Sequence, residues 1–123
     1  MSKTLLTHYI EKLKKTPFQG EISTKVSDRV TLSTHNSIYQ VIPTAVISPK
    51  TEHDIQLCLK LAASAPFTRL TFTAKGGSTG TNGQSLNHSI AIDFTKFMTN
   101  ILNFNSETKQ LRIQPGVTLD AIN

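Results

Sequence analysis

Apolar positions near the start of the chain recur with helical spacing. Leu6, Tyr9, Ile10 and Leu13 fall at i, i+3, i+4 and i+7, which predicts an amphipathic helix over 4–15. Ser2 or Thr4 can cap it and Pro17 ends it. Residues 18–42 are less regular. Asp28 to Ser33 reads as a short turn or strand, and "SIYQVIP" as an extended segment that Pro43 keeps away from the centre of a sheet. "TAVISP" is a short apolar run closed by proline, the pattern of a buried strand. In "TEHDIQLCLKLAAS" the period returns to helical. Ile55, Cys58, Leu59 and Ala62 mark one face, and Leu57 and Leu61 widen it, as for a helix lying on a sheet. Thr51 is the expected cap, with Asp54 completing an imperfect capping box. Pro66 closes the helix and "RLTFTA" reads as a second strand. Strand, helix and strand within about thirty residues make a βαβ unit with parallel strands.

Beyond that strand the alternation resumes in "SIAIDF", where Ile90, Ile92 and Phe94 share one side and Ala91 and Asp93 the other. "NILNFN", the polar turn "SETK" and "QLRIQP" predict an antiparallel hairpin. "GVTLDAIN" then begins a helix with Thr118 as cap and Asp120 in its first turn. A helix of about five residues is marginal alone, so the expectation is a chain that stops inside an architectural unit.

The length of 123 residues, with 37% hydrophobic and 17% charged residues, suits one soluble domain or part of one and excludes a disordered tail. The net charge of +5 is spread along the chain; only Lys12, Lys14 and Lys15 cluster, at the end of the first helix, where cations suit the dipole. Nucleic-acid binding is therefore not expected. No apolar run approaches the roughly 20 residues of a membrane span, and "MSKTLLTHYIEKLKK" is too polar for a signal peptide. The expected location is cytoplasmic, with peripheral membrane association of a parent protein left open. The single cysteine, Cys58, allows no internal disulfide and reads as core filling, with a reactive thiol as the alternative. His8, His35, His53 and His88 have no metal-ligand spacing. The carboxylates are scattered, and Asp93, at the end of a strand, reads as a turn or hydrogen-bonding residue rather than a catalytic base. No catalytic and no metal-ligating residue is expected.

One segment stands apart. "KGGSTGTNGQSLN", Lys75 to Asn87, holds four glycines, four hydroxyl side chains and three amides between two strands. Gly76 to Ser85 contains no proline, so each residue offers a backbone N–H. Successive N–H groups in such turns form nests that attract anions. Gly76, Gly77, Gly80 and Gly83 permit positive φ and close approach of a ligand. Ser78, Thr79, Thr81 and Ser85 add hydroxyl donors, and Asn82 and Gln84 add amides. Such neutral donors can surround a diphosphate. The loop lacks the lysine of GxxxxGK[ST] and the spacing of GxGxxG, and a strand follows it rather than a helix. On residue chemistry alone, a ligand cradle and a loop that merely needs special backbone angles both remain open.

"TAKGGSTGTNGQSLN" resembles the diphosphate-binding loop of the FAD-linked oxidases of the vanillyl-alcohol oxidase or p-cresol methylhydroxylase (PCMH) type. It is most similar to the D-2-hydroxyacid branch, which includes the D-lactate, glycolate and D-2-hydroxyglutarate dehydrogenases. The family's Arg-Gly-Gly-Gly-Thr appears as Lys75, Gly76, Gly77, Ser78 and Thr79, followed by Gly83-Gln84. "IPTAVISPKTEHDIQLCLKLA" before the loop, and "IAIDFTKFMTNI" and "LRIQPGVTLDAIN" after it, also resemble family segments in the family's order. Ser78 replaces a glycine and Lys75 an arginine, which keeps the charge without the planar fork. His35 stands where relatives often carry aspartate.

The resemblance implies an α+β fold, the N-terminal subdomain of a PCMH-type FAD-binding domain, with a small mixed sheet, a βαβ unit and flanking helices. Residues 1–33 would form an N-terminal helical extension and 34–123 a partial FAD-binding domain, truncated at its C-terminal end. The backbone of Gly76, Gly77, Ser78, Thr79 and Gly80 would wrap the FAD diphosphate. Asn82, Gly83, Gln84 and Ser85 would continue along the flavin side, and Pro43, Gly116 and Val117 would lie near the pocket. With no histidine between 75 and 87, non-covalent FAD is implied. The parent would be a flavin-dependent dehydrogenase or oxidase of a small D-2-hydroxyacid, its substrate held by domains outside this chain. Two rival readings are a non-enzymatic half-module that pairs with a separate chain, and a generic anion- or nucleotide-binding domain. The oligomeric state is left undetermined by the sequence.

Overall fold

The computed structural model describes residues 3–33, 40–77 and 86–123. Helix α1 (Lys3–Lys14) carries the first apolar face, and Leu6, Tyr9, Ile10 and Leu13 are all buried. The less regular stretch that follows contains a short strand β1 (Glu21–Ser23) and a helix α2 (Val26–Thr31), where the pattern had suggested a turn or strand. Six residues are too few to show a helical period, and α2 buries none of them. Strand β2 (Ala45–Ser48), helix α3 (Glu52–Ala62) and strand β3 (Phe72–Lys75) form the expected βαβ unit, joined by a 3₁₀ turn at Phe67–Arg69. Strand β4 (Ile90–Asp93), the hairpin β5 (Ile101–Asn105) and β6 (Gln110–Ile113), and a short α4 (Leu119–Ile122) complete the described elements.

The sheet order is β1-β2-β4-β3, with β2, β4 and β3 parallel and β1 antiparallel at one edge. The two strands of the βαβ unit are thus parallel but not neighbours, because β4 inserts between them. A central strand is covered on both faces, and Ile90, Ala91 and Ile92 are buried in succession. β2 is likewise buried at all four positions. One face of the sheet packs under α1 and α3 in a core of Leu6, Tyr9, Leu13, Ala45, Ile47, Cys58, Phe67 and Ile90. Tyr9 is fixed there by donating its hydroxyl to the Cys58 carbonyl at 2.7 Å and by edge contacts with Phe67 and Phe72.

The buried face of α3 differs from the expected one. Leu59 is 49% exposed, while Leu57, Leu61 and Ala62 pack on the core around buried Cys58, and Asp54 is buried one turn earlier. The inward stripe is therefore 54, 57, 58, 61 and 62, a regular i, i+3, i+4 pattern that opens with a carboxylate. Asp54 completes the capping box with Thr51 and also accepts from the backbone N–H of Gln19 (2.8 Å) and Lys50 (2.9 Å). A buried carboxylate is tolerated because backbone donors surround it. It ties the segment after α1 to the start of α3.

Candidate functional site at the carboxyl edge of the parallel strands

Since β3 and β4 are parallel with Lys75 opposite Asp93, both strands end on the same edge of the sheet. The chain leaves β3 there through Gly76 and Gly77, both exposed. Residues Ser78, Thr79, Gly80, Asn82, Gly83, Gln84 and Ser85 of the expected cradle lie outside the described residues. At the end of β4, Asp93 accepts from the backbone N–H (2.9 Å) and hydroxyl (2.6 Å) of Thr95, so it closes a turn. Phe94 and Met98 follow, and their carbonyls receive Gly116, whose N–H donates to Met98 O at 2.9 Å. This brings "QPGV" beside the loop entrance: a Cβ on Gly76 would lie 3.7 Å from the Pro115 carbonyl oxygen. Half-buried Val117 donates its N–H to Gln114 O at 3.1 Å in the same turn. Pro43 is placed elsewhere. It is buried ahead of β2, at the amino edge of the parallel strands, where its carbonyl accepts from Arg29 Nε at 2.8 Å.

The glycines separate by what demands them. At Gly116 a Cβ would meet the Phe94 carbonyl oxygen at 2.2 Å, so the protein's own packing requires glycine. Among the described residues, a Cβ at Gly77 would meet nothing within 4 Å, and at Gly76 only an ordinary contact. Neither Gly76 nor Gly77 adopts a left-handed backbone, so the positive φ that glycine permits is not used at these two positions. Neither N–H finds an acceptor among the described residues. Bare backbone that is free of internal steric demand, with unspent donors at a strand's carboxyl end, fits the close approach of an anionic group. The donor chemistry present therefore suits a flavin dinucleotide's diphosphate.

Lys75 behaves differently from a surface cation. Its side chain is 1% exposed, and Nζ donates to the Leu32 carbonyl at 2.8 Å. Burial lowers its pKa, opposed by the Asp93 carboxylate. Nothing in the sequence announced this: a lysine closing a strand before a polar loop reads as solvated.

A parallel sheet with a glycine loop at its carboxyl edge, followed by a hairpin and a helix start, defines a class. The chain belongs to the family described as FAD binding domain, which matches residues 43–123. Its fold is that of the PCMH-type FAD-binding domains, and its cofactor is FAD. Among curated proteins it is 45% identical over 115 residues to a D-2-hydroxyglutarate dehydrogenase of Pantoea ananatis, covering 94% of this chain and 11% of that one. The corresponding figures for the D-2-hydroxyglutarate dehydrogenase of Escherichia coli K12 are 40% over 119 residues, 97% and 12%. The chain thus spans about a tenth of the length of these relatives. Among solved structures, a 4-ethylphenol oxidase from Gulosibacter chungangensis superimposes with a TM-score of 0.79 at 17% identity, covering 99% of this chain and 24% of that one. A p-cresol methylhydroxylase does so with 0.76 at 14%, with the same coverage. These likenesses show the fold.

Proposed function

We propose that this chain is the diphosphate-holding part of a flavin-dependent dehydrogenase that oxidises D-2-hydroxyglutarate or a close D-2-hydroxyacid. The observation that carries the reading is identity of 40–45% to proteins of that name along nearly the whole chain. Residues 34–123 form the cofactor part and 1–33 the extension that packs against it. The N–H groups of Gly76, Gly77, Ser78, Thr79 and Gly80 hold the diphosphate. Asn82, Gly83, Gln84 and Ser85 continue toward the flavin, with Gly116 and Val117 fixing the adjoining turn and Pro43 the approach to β2. Non-covalent FAD held by these residues would supply the two-electron acceptor for oxidation of the hydroxyl-bearing carbon. This chain's residues bind and orient the cofactor. The substrate's carboxylates and the departing proton are handled by other parts of a longer polypeptide in the cytoplasm, so the 123 residues alone turn over no hydroxyacid.

The test uses the full-length protein under anaerobic conditions. D-2-hydroxyglutarate is expected to bleach the oxidised flavin band, the L-enantiomer to leave it, and acid precipitation to release all the flavin into solution. A flavoprotein that no D-2-hydroxyacid reduces overturns the substrate assignment. A second reading, a half-module that pairs with a separate chain, is favoured by the exposed apolar residues Ile101, Leu102 and Phe104 on the hairpin. Flavin reduction by a preparation that contains a single kind of chain would dismiss it.

A further inference from the structure

We propose that Lys75 is a positioning residue for cofactor binding, whose ammonium locks the entrance of the glycine loop to the C-terminal end of α2 without touching the diphosphate. The inference rests on the FAD-binding role of the loop and concerns how that role is held in place.

Three observations carry it. The first is direction. Register and pleat put Lys75, Asp93, Ala91 and Val46 on one face of the sheet, opposite α1 and α3. Lys75 runs inward along that face to Leu32 O, 43 residues away in sequence. The second is the weakness of what it holds. α2 has six residues, buries none of them and has no side-chain N-cap hydrogen bond. With no apolar face to seat it, α2 depends on polar links: Ser23 to Asp28 (2.5 Å), Arg29 to the Pro43 carbonyl (2.8 Å) and Lys75 to its C-cap, Leu32. The third is cost. Burying an ammonium is unfavourable unless it is paired, and a methionine of similar length would fill the same space. The charge is retained directly before Gly76, where the loop begins.

Mechanically, the bond joins two weakly held segments. The end of β3 fixes the direction in which Gly76 and Gly77 present their N–H groups. α2, itself tied through Asp28 to Ser23 and through Arg29 to the Pro43 carbonyl, supplies the anchorage on the face opposite α1 and α3. Preorganised donors bind an anion without a further ordering cost. Lys75 therefore contributes to affinity through the loop's geometry.

The experiment compares wild type, Lys75→Met, Lys75→Gln and Lys75→Arg in the full-length protein. Hydrogen exchange is measured without flavin, so that it reads the strut whether or not the cofactor assignment holds. In Lys75→Met the amides of Leu32, Ser33 and Val41, and that of Phe94, which donates to the Lys75 carbonyl at 3.1 Å, are expected to exchange faster together. Lys75→Arg, which still reaches a carbonyl, restores both segments. FAD affinity falls about tenfold in Lys75→Met, the equivalent of one charge-assisted hydrogen bond, and recovers in Lys75→Arg. The dependence of affinity on salt stays that of wild type in Lys75→Met, because no charge is withdrawn from the phosphates. Should Lys75→Met not fold, the neutral Lys75→Gln is read in the same way. Undiminished FAD affinity in the neutral variants overturns the proposal. So does weakened binding with unchanged exchange, and so does a flattened salt dependence, which would make Lys75 a direct phosphate contact.

Discussion

A methyl group added at Gly116 would sit 2.2 Å from the Phe94 carbonyl oxygen and 2.7 Å from that of Met98, whereas at Gly77 it would meet nothing within 4 Å among the described residues. Gly116→Ala is therefore expected to destabilise the protein by about 1–3 kcal/mol, and Gly77→Ala to stay within about 0.5 kcal/mol of wild type in urea unfolding. Gly77→Val should leave the flavin-free protein as stable as wild type yet weaken its hold on FAD, which equilibrium dialysis would show. Cys58 gives a pH prediction. Burial pushes its thiol from 9.0 up to about 12, and burial beside Cys58 raises the Tyr9 phenol too. Both groups keep their protons in the folded state at pH values where the unfolded chain releases them. Their contribution is complete below pH 9 and is lost as pH rises from 9 toward 12. Lys75, with its lowered pKa, acts in the opposite sense as pH nears 10.5. Across pH 8.5–11 the stability of wild type should fall more steeply than that of Cys58→Ala, and equal slopes would count against a buried thiol.

Among the elements, α3 shows how one polar residue can set a helix. Asp54 caps its start and holds Gln19 and Lys50 as well. Thr51→Ala removes the hydroxyl half of the box and should cost about 1 kcal/mol. Asp54→Ala strands several backbone donors and should cost about 2–4 kcal/mol. Thermal melts of the two variants test the ranking. The hairpin contains a correctable flaw. Lys109 closes the four-residue turn with φ of 59°, a left-handed conformation that favours glycine. Lys109→Gly should stabilise the hairpin by up to about 1 kcal/mol, visible as slower amide exchange across β5 and β6.

For the whole molecule, the contrast is between a sealed sheet and an open hairpin. β2 and β4 are buried along nearly their full length, but every residue of β5 is exposed, with Phe104 at 60%. Exposed apolar residues on one ribbon favour association. The 123-residue chain should self-associate with rising concentration, and Leu102→Lys with Phe104→Lys should shift it toward monomer in sedimentation velocity. No helix among the described residues is long and apolar enough to cross a membrane.

The chain's own pattern determined α1 with its four buried residues, the βαβ unit, the hairpin and the glycine loop, because each follows from local periodicity or turn chemistry within a few residues. Tertiary structure decided the rest. β4 lies between β2 and β3 because strand order depends on pairing at long range, which no local window encodes. The inward face of α3 begins at Asp54, since backbone donors from Gln19 and Lys50 make a buried carboxylate acceptable. Lys75 points into the fold toward Leu32, and Gly116 is a packing glycine while Gly77 is not. All four glycines of "KGGSTGTNG" look alike in the sequence. For Gly76 and Gly77, the space around their backbone shows that no clash among the described residues accounts for the missing side chain.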